Sequence, residues 1–164
     1  MTVLEHDWFP RPLPDAVTLG ERSWIYSSYA VHHSYGTVVV GPDSGVYNGT
    51  HFELGPEAKV QIGRFCTVVG AIIRTNGSVT IGDHTFIAHE VVIADTPFAI
   101  PPRGQTEPAS AAVWIGSGAW IGARAIILGG ARIGDEAIVG AGAVIDREIP
   151  HGATAVGNPV RVVH

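Results

Sequence analysis

Residues 115–145 read IGSGAWIGARAIILGGARIGDEAIVGAGAVI, and a large aliphatic residue returns in this stretch every six positions. The aliphatic series is Ile115, Ile121, Ile127, Ile133, Val139 and Ile145, and the small residues that follow four places later are Ala119, Ala125, Ala131, Ala137 and Ala143. A helix repeats about every 3.6 residues and a strand every two, so neither explains this period. We interpret each unit as a short strand plus a corner, and three units as one triangular coil.

The same six-residue pattern continues backwards through the chain and predicts about six coils. The inward residues would form three columns: Leu19, Val40, Ile62, Ile81, Ile115, Ile133; Ile25, Val46, Val68, Ile87, Ile121, Val139; and Val31, Phe52, either Arg74 or Thr75, Ile93, Ile127, Ile145. Each coil would bury its aliphatic residues against the next coil, so stability would come from stacked neighbours.

The pattern breaks between Ile93 and Ile115, and the break predicts one long loop protruding at residues 96–112. A loop of this length on a regular scaffold is usually functional. The sequence therefore predicts an all-β chain with an N-terminal extension at residues 1–18. The β-helix would occupy residues 19–150 and a C-terminal tail residues 151–164.

Composition agrees with this prediction and excludes several classes of function. The chain is 46% hydrophobic and 15% charged with 21 glycines, which favours strands with many tight turns. The net charge of −5 argues against a nucleic-acid or anionic membrane surface. A single cysteine, Cys66, excludes an internal disulfide and a cysteine-rich zinc site. Without an apolar N-terminal segment typical of a signal peptide, we expect a cytoplasmic protein.

The segments AWIGARAII and IGDEAIVGAGAVI and the closing IPHGATAVGNPVRVV resemble the hexapeptide-repeat acyltransferases, most closely the galactoside and maltose acetyltransferase type. This resemblance implies a left-handed parallel β-helix, since the period alone does not give the hand. It also implies a homotrimer with active sites between subunits. Acyl-CoA, most simply acetyl-CoA, would be the co-substrate, a small molecule with a hydroxyl or amine the acceptor, and no metal would be needed.

His89, followed by Glu90, is the candidate general base. In the predicted register it lies at the same corner as Ala123 and Ala141 of the next two coils. The resemblance implies that backbone amides at those two positions contact the pantetheine arm of CoA. The dipeptide is also similar to a pair in sugar-nucleotide acyltransferases, in which the histidine is the base and the acid orients it. Imidazole suits this role because it titrates near neutrality.

Three further polar residues are candidates for binding the acceptor. Asn48 falls on the same edge as the candidate base, and His51 would be a second polar group in the cleft. Asp95 matches an aspartate of the galactoside-type enzymes, although a structural corner aspartate explains it equally well. The chain departs from those enzymes in having no histidine between Glu90 and Pro150, and in having Gly70 where they carry an asparagine.

Two residues are candidates for binding the cofactor, again through the resemblance. Arg161 matches a basic residue near the CoA phosphates, which a guanidinium holds well. Trp120 matches an aromatic residue of the cofactor groove. A solvated terminal arginine and a tryptophan packed between subunits are the plainer explanations of these two residues.

Two other functions stay open. The spacing of His84 and His89 copies the paired zinc ligands of γ-class carbonic anhydrases, which share the fold. Matching the family's motif, however, would put the partner ligand at Ala94 and the third ligand near Arg74. The missing loop histidine also permits a repurposed enzyme of small-molecule biosynthesis on the same scaffold.

Overall fold

The computed structural model describes residues 13–26, 36–95 and 111–163, which form a left-handed parallel β-helix. Each coil has three short strands joined by corners, and equivalent strands of successive coils pair into three sheets. Five coils are described with all three strands, and partial coils flank them at both ends. The described ranges contain no helix, and therefore none with the length and apolar character needed to cross a membrane. The predicted all-β architecture is confirmed.

The first sheet contains β1 (Val17–Leu19), β3 (Thr37–Val40), β6 (Lys59–Ile62), β9 (Ser78–Ile81), β12 (Val113–Ile115), β15 (Arg132–Ile133) and β18 (Glu148–Ile149). The second contains β2 (Trp24–Ile25), β4 (Gly45–Tyr47), β7 (Thr67–Val69), β10 (Phe86–Ile87), β13 (Trp120–Ile121), β16 (Ile138–Val139), β19 (Thr154–Val156) and β20 (Arg161–Val163). The third contains β5 (His51–Leu54), β8 (Ile72–Thr75), β11 (Val92–Ala94), β14 (Ile126–Leu128) and β17 (Val144–Ile145). Among these strands, the pairing is parallel except between β19 and β20.

Strand pairing confirms the first two predicted columns. The first column runs from Leu19 to Ile133 in the expected register and continues to Ile149. The second runs from Ile25 to Val139 and continues to Ala155. All of these residues except Leu19 are buried, so the coils stack their aliphatic side chains in one continuous core.

The third column corrects the prediction at one position. Ile73, and neither Arg74 nor Thr75, pairs with Phe52 and Ile93 at the inward position, and it is fully buried. The corner before it is one residue shorter than its equivalents, because Gly70 turns the chain alone with a φ of 58°. The first coil's Val31 lies outside the described residues.

Small side chains fill the inside of the first corner, the turn between the first and second strands of each coil. In the C-terminal coils these are the buried Ala119, Ala137 and Ala153. In three earlier coils the equivalent side chain is polar and donates to a carbonyl of the following coil, as Ser44 does to Gly63 and Thr85 to Gly116. Cys66 follows this pattern, because its Sγ lies 3.0 Å from the oxygen of Gly82. Cys66 is therefore a residue of the core.

The sheets extend beyond the predicted limits of residues 19–150, because β1 begins at Val17 and β19 ends at Val156. Most of the predicted loop, residues 96–110, lies outside the described residues. Its two ends meet at the surface of the coil, where the backbone N–H of Ala111 donates to the oxygen of Asp95 at 3.0 Å. The chain therefore leaves and rejoins the β-helix at nearly one point.

Candidate active site

A surface groove follows the second corner, the turn between the second and third strands of each coil. It has a volume of about 720 Å³ and is lined by residues of three consecutive coils: His89, Glu90, Ala123, Arg124, Ala141 and Gly142. Each coil contributes two adjacent residues, the second of which has a positive φ: 58° at Glu90, 61° at Arg124 and 69° at Gly142. This repeated turn stacks the three corners directly above one another.

The stacked corners leave backbone donors exposed along the groove. The N–H of Arg124 donates to the oxygen of His89 at 3.0 Å, and that of Gly142 to the oxygen of Ala123 at 2.9 Å. By contrast, the N–H groups of Ala123 and Ala141 donate to no other described residue. Successive coils lie about 4.8 Å apart, as paired strands do. The groove thus presents two backbone N–H donors, one coil apart, that no described residue accepts, and they can donate to amide carbonyls of an extended ligand.

Gly122 brings these corners close together. A Cβ added there would lie 2.7 Å from the backbone nitrogen of Ala141 and 2.8 Å from the oxygen of Val139. The groove floor between the coils of Ala123 and Ala141 is therefore backbone, which any side chain at position 122 would displace.

His89 lies at the N-terminal end of this groove, where its side chain is exposed. The preceding Ala88 is buried and its N–H donates to the oxygen of Ile121, so the strand holds the histidine in place. On the side away from Ala123, the neighbouring corner residue is Gly70. A Cβ added to Gly70 would lie 3.9 Å from Cδ2 of His89. A side chain at position 70 would therefore contact the edge of the imidazole.

Glu90 binds Arg124 rather than His89. Its Oε2 accepts a hydrogen bond of 2.6 Å from Nε of Arg124 in the next coil. This hydrogen bond and the guanidinium charge hold the pKa of the Glu90 carboxyl below its usual value, and His89 adds a smaller contribution in the same direction. The sequence did not single out Arg124, although the equivalence of its corner with that of Glu90 was a usable signal.

The candidate acceptor residues lie in different places. Asn48 is exposed on the same edge as His89, two coils away. A Cβ added to Gly70 would lie 3.6 Å from the backbone carbonyl oxygen of Asn48. His51 lies instead on the outer face of the third sheet, where its Nε2 is 3.6 Å from Oε1 of Glu53. Neither residue lines the groove.

Asp95 is buried, with 2% of its surface exposed. Its Oδ2 accepts hydrogen bonds from Oγ1 of Thr75 at 2.8 Å and from the N–H groups of Asn76 at 2.6 Å and Gly77 at 3.0 Å. The carboxylate therefore satisfies the donors of the turn that follows β8. This arrangement matches the structural explanation of Asp95 that the sequence also allowed.

Neither of the two candidate cofactor residues lines the groove. Trp120 is 57% exposed on the outer face of the second sheet and meets Phe86 edge to face at 5.5 Å. Arg161 is exposed on β20 and pairs with Val156. The coil of Val156 stacks on that of Gly140, because the N–H of Gly140 donates to the oxygen of Ala155. Arg161 thus lies beyond the C-terminal end of the groove.

The residues that a γ-class zinc site would use do not converge. His84 lies at the first corner, where its ring stacks on Phe65 at 5.0 Å, while His89 lies at the second corner. Arg74 instead approaches Glu53, with its Nε 3.8 Å from Oε2. Within residues 13–26, 36–95 and 111–163, no three side chains of His, Cys, Asp or Glu are grouped as metal ligands.

These coils and this groove define the fold as a left-handed parallel β-helix built on a six-residue repeat. Residues 112–147 match the family described as bacterial transferase hexapeptide (six repeats). The match confirms the predicted hexapeptide repeat over this segment. No curated protein matches the chain.

Several solved structures share the fold. A variant of AntD, an N-acyltransferase from Bacillus cereus in complex with dTDP and coenzyme A, has a TM-score of 0.70 and 21% identity, covering 89% of this chain and 82% of that one. A hexapeptide-repeat acetyltransferase of Vibrio cholerae O1 biovar eltor, in complex with acetyl-coenzyme A, has a TM-score of 0.64 and 21% identity, covering 76% and 69%. A hexapeptide transferase family protein from Anaplasma phagocytophilum has a TM-score of 0.66 and 13% identity, covering 90% and 78%.

Proposed function

We propose that this protein is an acyltransferase that moves an acyl group from acyl-CoA to a hydroxyl or amine of a small molecule. The observation that carries this proposal is the placement of the His89 imidazole in one groove with the unpaired amides of Ala123 and Ala141. A thioester held along those amides would reach a general base at the end of the row. Two of the fold relatives described above were solved with coenzyme A or acetyl-coenzyme A, which supports the choice of co-substrate.

His89 would act as the general base. Its exposed imidazole would accept the proton of the acceptor as the nucleophile attacks the thioester carbonyl. The carbon–sulfur bond of the thioester would then break as the new bond to the acceptor is kept, and the departing CoA thiolate would take the proton from the imidazolium and leave as the free thiol. Holding both substrates in one groove would lower the barrier further, because it removes the entropic cost of bringing them together.

Glu90 would contribute differently from the orienting role that the sequence suggested. Because its carboxylate binds Arg124, it would hold the guanidinium beside the base. The carboxylate and guanidinium charges of this pair would offset one another near the base.

Calorimetry with acetyl-CoA and longer acyl-CoAs tests the proposal first, since no acceptor needs to be known. We expect saturable binding of one ligand per groove. Release of CoA thiol is then followed with a panel of small hydroxyl and amine acceptors. His89→Ala should lower turnover at least about a hundredfold while acyl-CoA still binds. His84→Ala, at the first corner, is the matched control and should retain activity. Absence of binding by any acyl-CoA would overturn the proposal.

Arg161 would hold a phosphate of CoA. It lies beyond the C-terminal end of the groove, on the side of Ala141 away from His89. Arg161→Ala should raise the apparent KM for acetyl-CoA and leave kcat nearly unchanged. An unchanged KM would reject the contact.

A homotrimer would cover the exposed apolar residues of the second sheet. Phe86, Trp120 and Ile138 form a continuous stripe there, with 36%, 57% and 46% of their surfaces exposed. Such a stripe favours a subunit interface. Light scattering should give a mass three times the 17.2 kDa of one chain, and Trp120→Glu should reduce that mass.

The cytoplasmic location stays a prediction.

A further inference from the structure

Arg124 is the one arginine or lysine among the described residues that line the groove. Its backbone belongs to the coil of Ala123, but its hydrogen bond to Glu90 draws the guanidinium back towards the coil of His89. Since coils are spaced by about 4.8 Å, this places a positive charge close to the level of the candidate base.

Stability does not account for this ion pair. The side chains of Arg124 and Glu90 are 77% and 65% exposed, and water screens pairs of this kind so strongly that they contribute little. A guanidinium carries five N–H donors, and only the one on Nε is hydrogen-bonded to a described residue. The Nη1 and Nη2 groups remain available as the planar fork that binds carboxylates and phosphates with two parallel bonds.

The position of the guanidinium indicates which substrate it faces. The backbone amides of Ala123 and Ala141 lie in the two coils that follow the coil of His89. The side chain of Arg124, by contrast, points back from its own coil towards the coil of His89. The base takes a proton from the acceptor, so the acceptor must bind next to His89. A charged group at the level of the His89 coil would therefore contact the acceptor.

We propose that Arg124 binds an anionic group of the acceptor, a carboxylate or a phosphate, and thereby makes the enzyme selective for negatively charged acceptors. This inference rests on the proposed acyltransferase function, but the anion site can be measured without it. Glu90 positions the guanidinium through Nε, and the acceptor's anion binds the Nη groups.

Nuclear magnetic resonance of the full chain tests the site with inorganic phosphate and with acetate at constant ionic strength. We expect saturable shifts of the Arg124 Nε–Hε signal and the His89 imidazole signals. Arg124→Gln should weaken the binding at least tenfold, as read from the His89 signals, whereas Arg124→Lys should weaken it less because it keeps the charge. The matched control is Arg147→Gln, since Arg147 is an exposed arginine paired with Asp146 at 2.8 Å; this variant should bind like the wild type.

The outcomes separate the alternatives. Tighter binding of phosphate would identify phosphorylated acceptors, and tighter binding of acetate would identify carboxylates. A linear, non-saturable response to both anions in the wild type would overturn the proposal, as would unchanged binding in Arg124→Gln. If saturating CoA abolishes the response to the anion, the site belongs to the cofactor and the assignment to the acceptor is wrong. A protein that binds the anions but no acyl-CoA would keep this site while the acyltransferase proposal fails.

Discussion

The buried carboxylate of Asp95 accepts a hydrogen bond of 2.8 Å from the hydroxyl of Thr75 in the preceding coil. The same Oδ2 also accepts the N–H groups of Asn76 and Gly77. One acidic side chain thus closes the turn after β8 at the point where Ala111 rejoins the coil.

Asp95→Ala should lower the free energy of unfolding by about 1–3 kcal/mol, because it leaves the buried hydroxyl of Thr75 and the part-buried N–H of Asn76 without this acceptor. Asp135→Ala is the matched control: Asp135 accepts the N–H of Ser117 at 2.7 Å, but on the exposed surface. Its effect should be below about 0.5 kcal/mol. Urea unfolding of both variants measures the difference. Equal losses would contradict the structural role of Asp95.

Ile73→Ala should lower the free energy of unfolding by about 2–5 kcal/mol, since it removes a fully buried side chain from the third column. Ile72→Ala is the control, because Ile72 is adjacent in β8 but points outward and is 40% exposed. Its effect on stability should be below about 1 kcal/mol. Denaturant unfolding of the pair tests the register directly, and the opposite order of effects would show that the strand is shifted by one residue.

The Cys66 thiol should be nearly inert in the folded protein. Burial is the main cause that raises its pKa above the usual value, so the reactive thiolate is scarce at neutral pH. A thiol reagent such as dithiobisnitrobenzoate should react with one group per chain in urea and much more slowly in buffer. Rapid labelling of the native protein would contradict this burial.

The Glu90 carboxyl should titrate below its ordinary range in the folded protein. Its pKa is lowered in the folded state, so the pair with Arg124 contributes stability above the unfolded pKa and loses it as pH falls through the folded value. Side-chain resonances followed from about pH 6 to pH 2 should show this shift. In Arg124→Gln the Glu90 pKa should return towards the ordinary value. An identical titration in both proteins would show that the ion pair is absent in solution.

Most of the fold was predictable because the six-residue period constrains every coil at once. The inward aliphatic residue of one coil packs on its counterpart in the next coil. The positions of Ile121 and Ile127 therefore predict members of the second and third columns, and the strand pairing contains both. Among the described positions of the three columns, the prediction was wrong only at Ile73, because Gly70 makes a corner with one residue fewer. A glycine that replaces two corner residues is invisible to counting, since its effect depends on backbone conformation.

The shared corner of His89, Ala123 and Ala141 was also predictable, because register along a repeat determines which residues stack. The roles of these residues in catalysis stay predictions. The partner of Glu90 was not predictable, because both His89 and Arg124 are close enough in register to meet its carboxylate. Side-chain torsions, which the hydrophobic pattern does not constrain, decide that the carboxylate meets Arg124.

By itself, the order of apolar and small residues determined that this chain forms stacked triangular coils and which residues share an edge. That information is periodic, and burial of apolar surface enforces it in every coil. Only the tertiary structure decided which amides of the groove remain unpaired, that Asp95 closes a turn, and that Arg124 reaches back to Glu90. Those features depend on individual torsion angles and hydrogen bonds, which the hydrophobic pattern does not constrain.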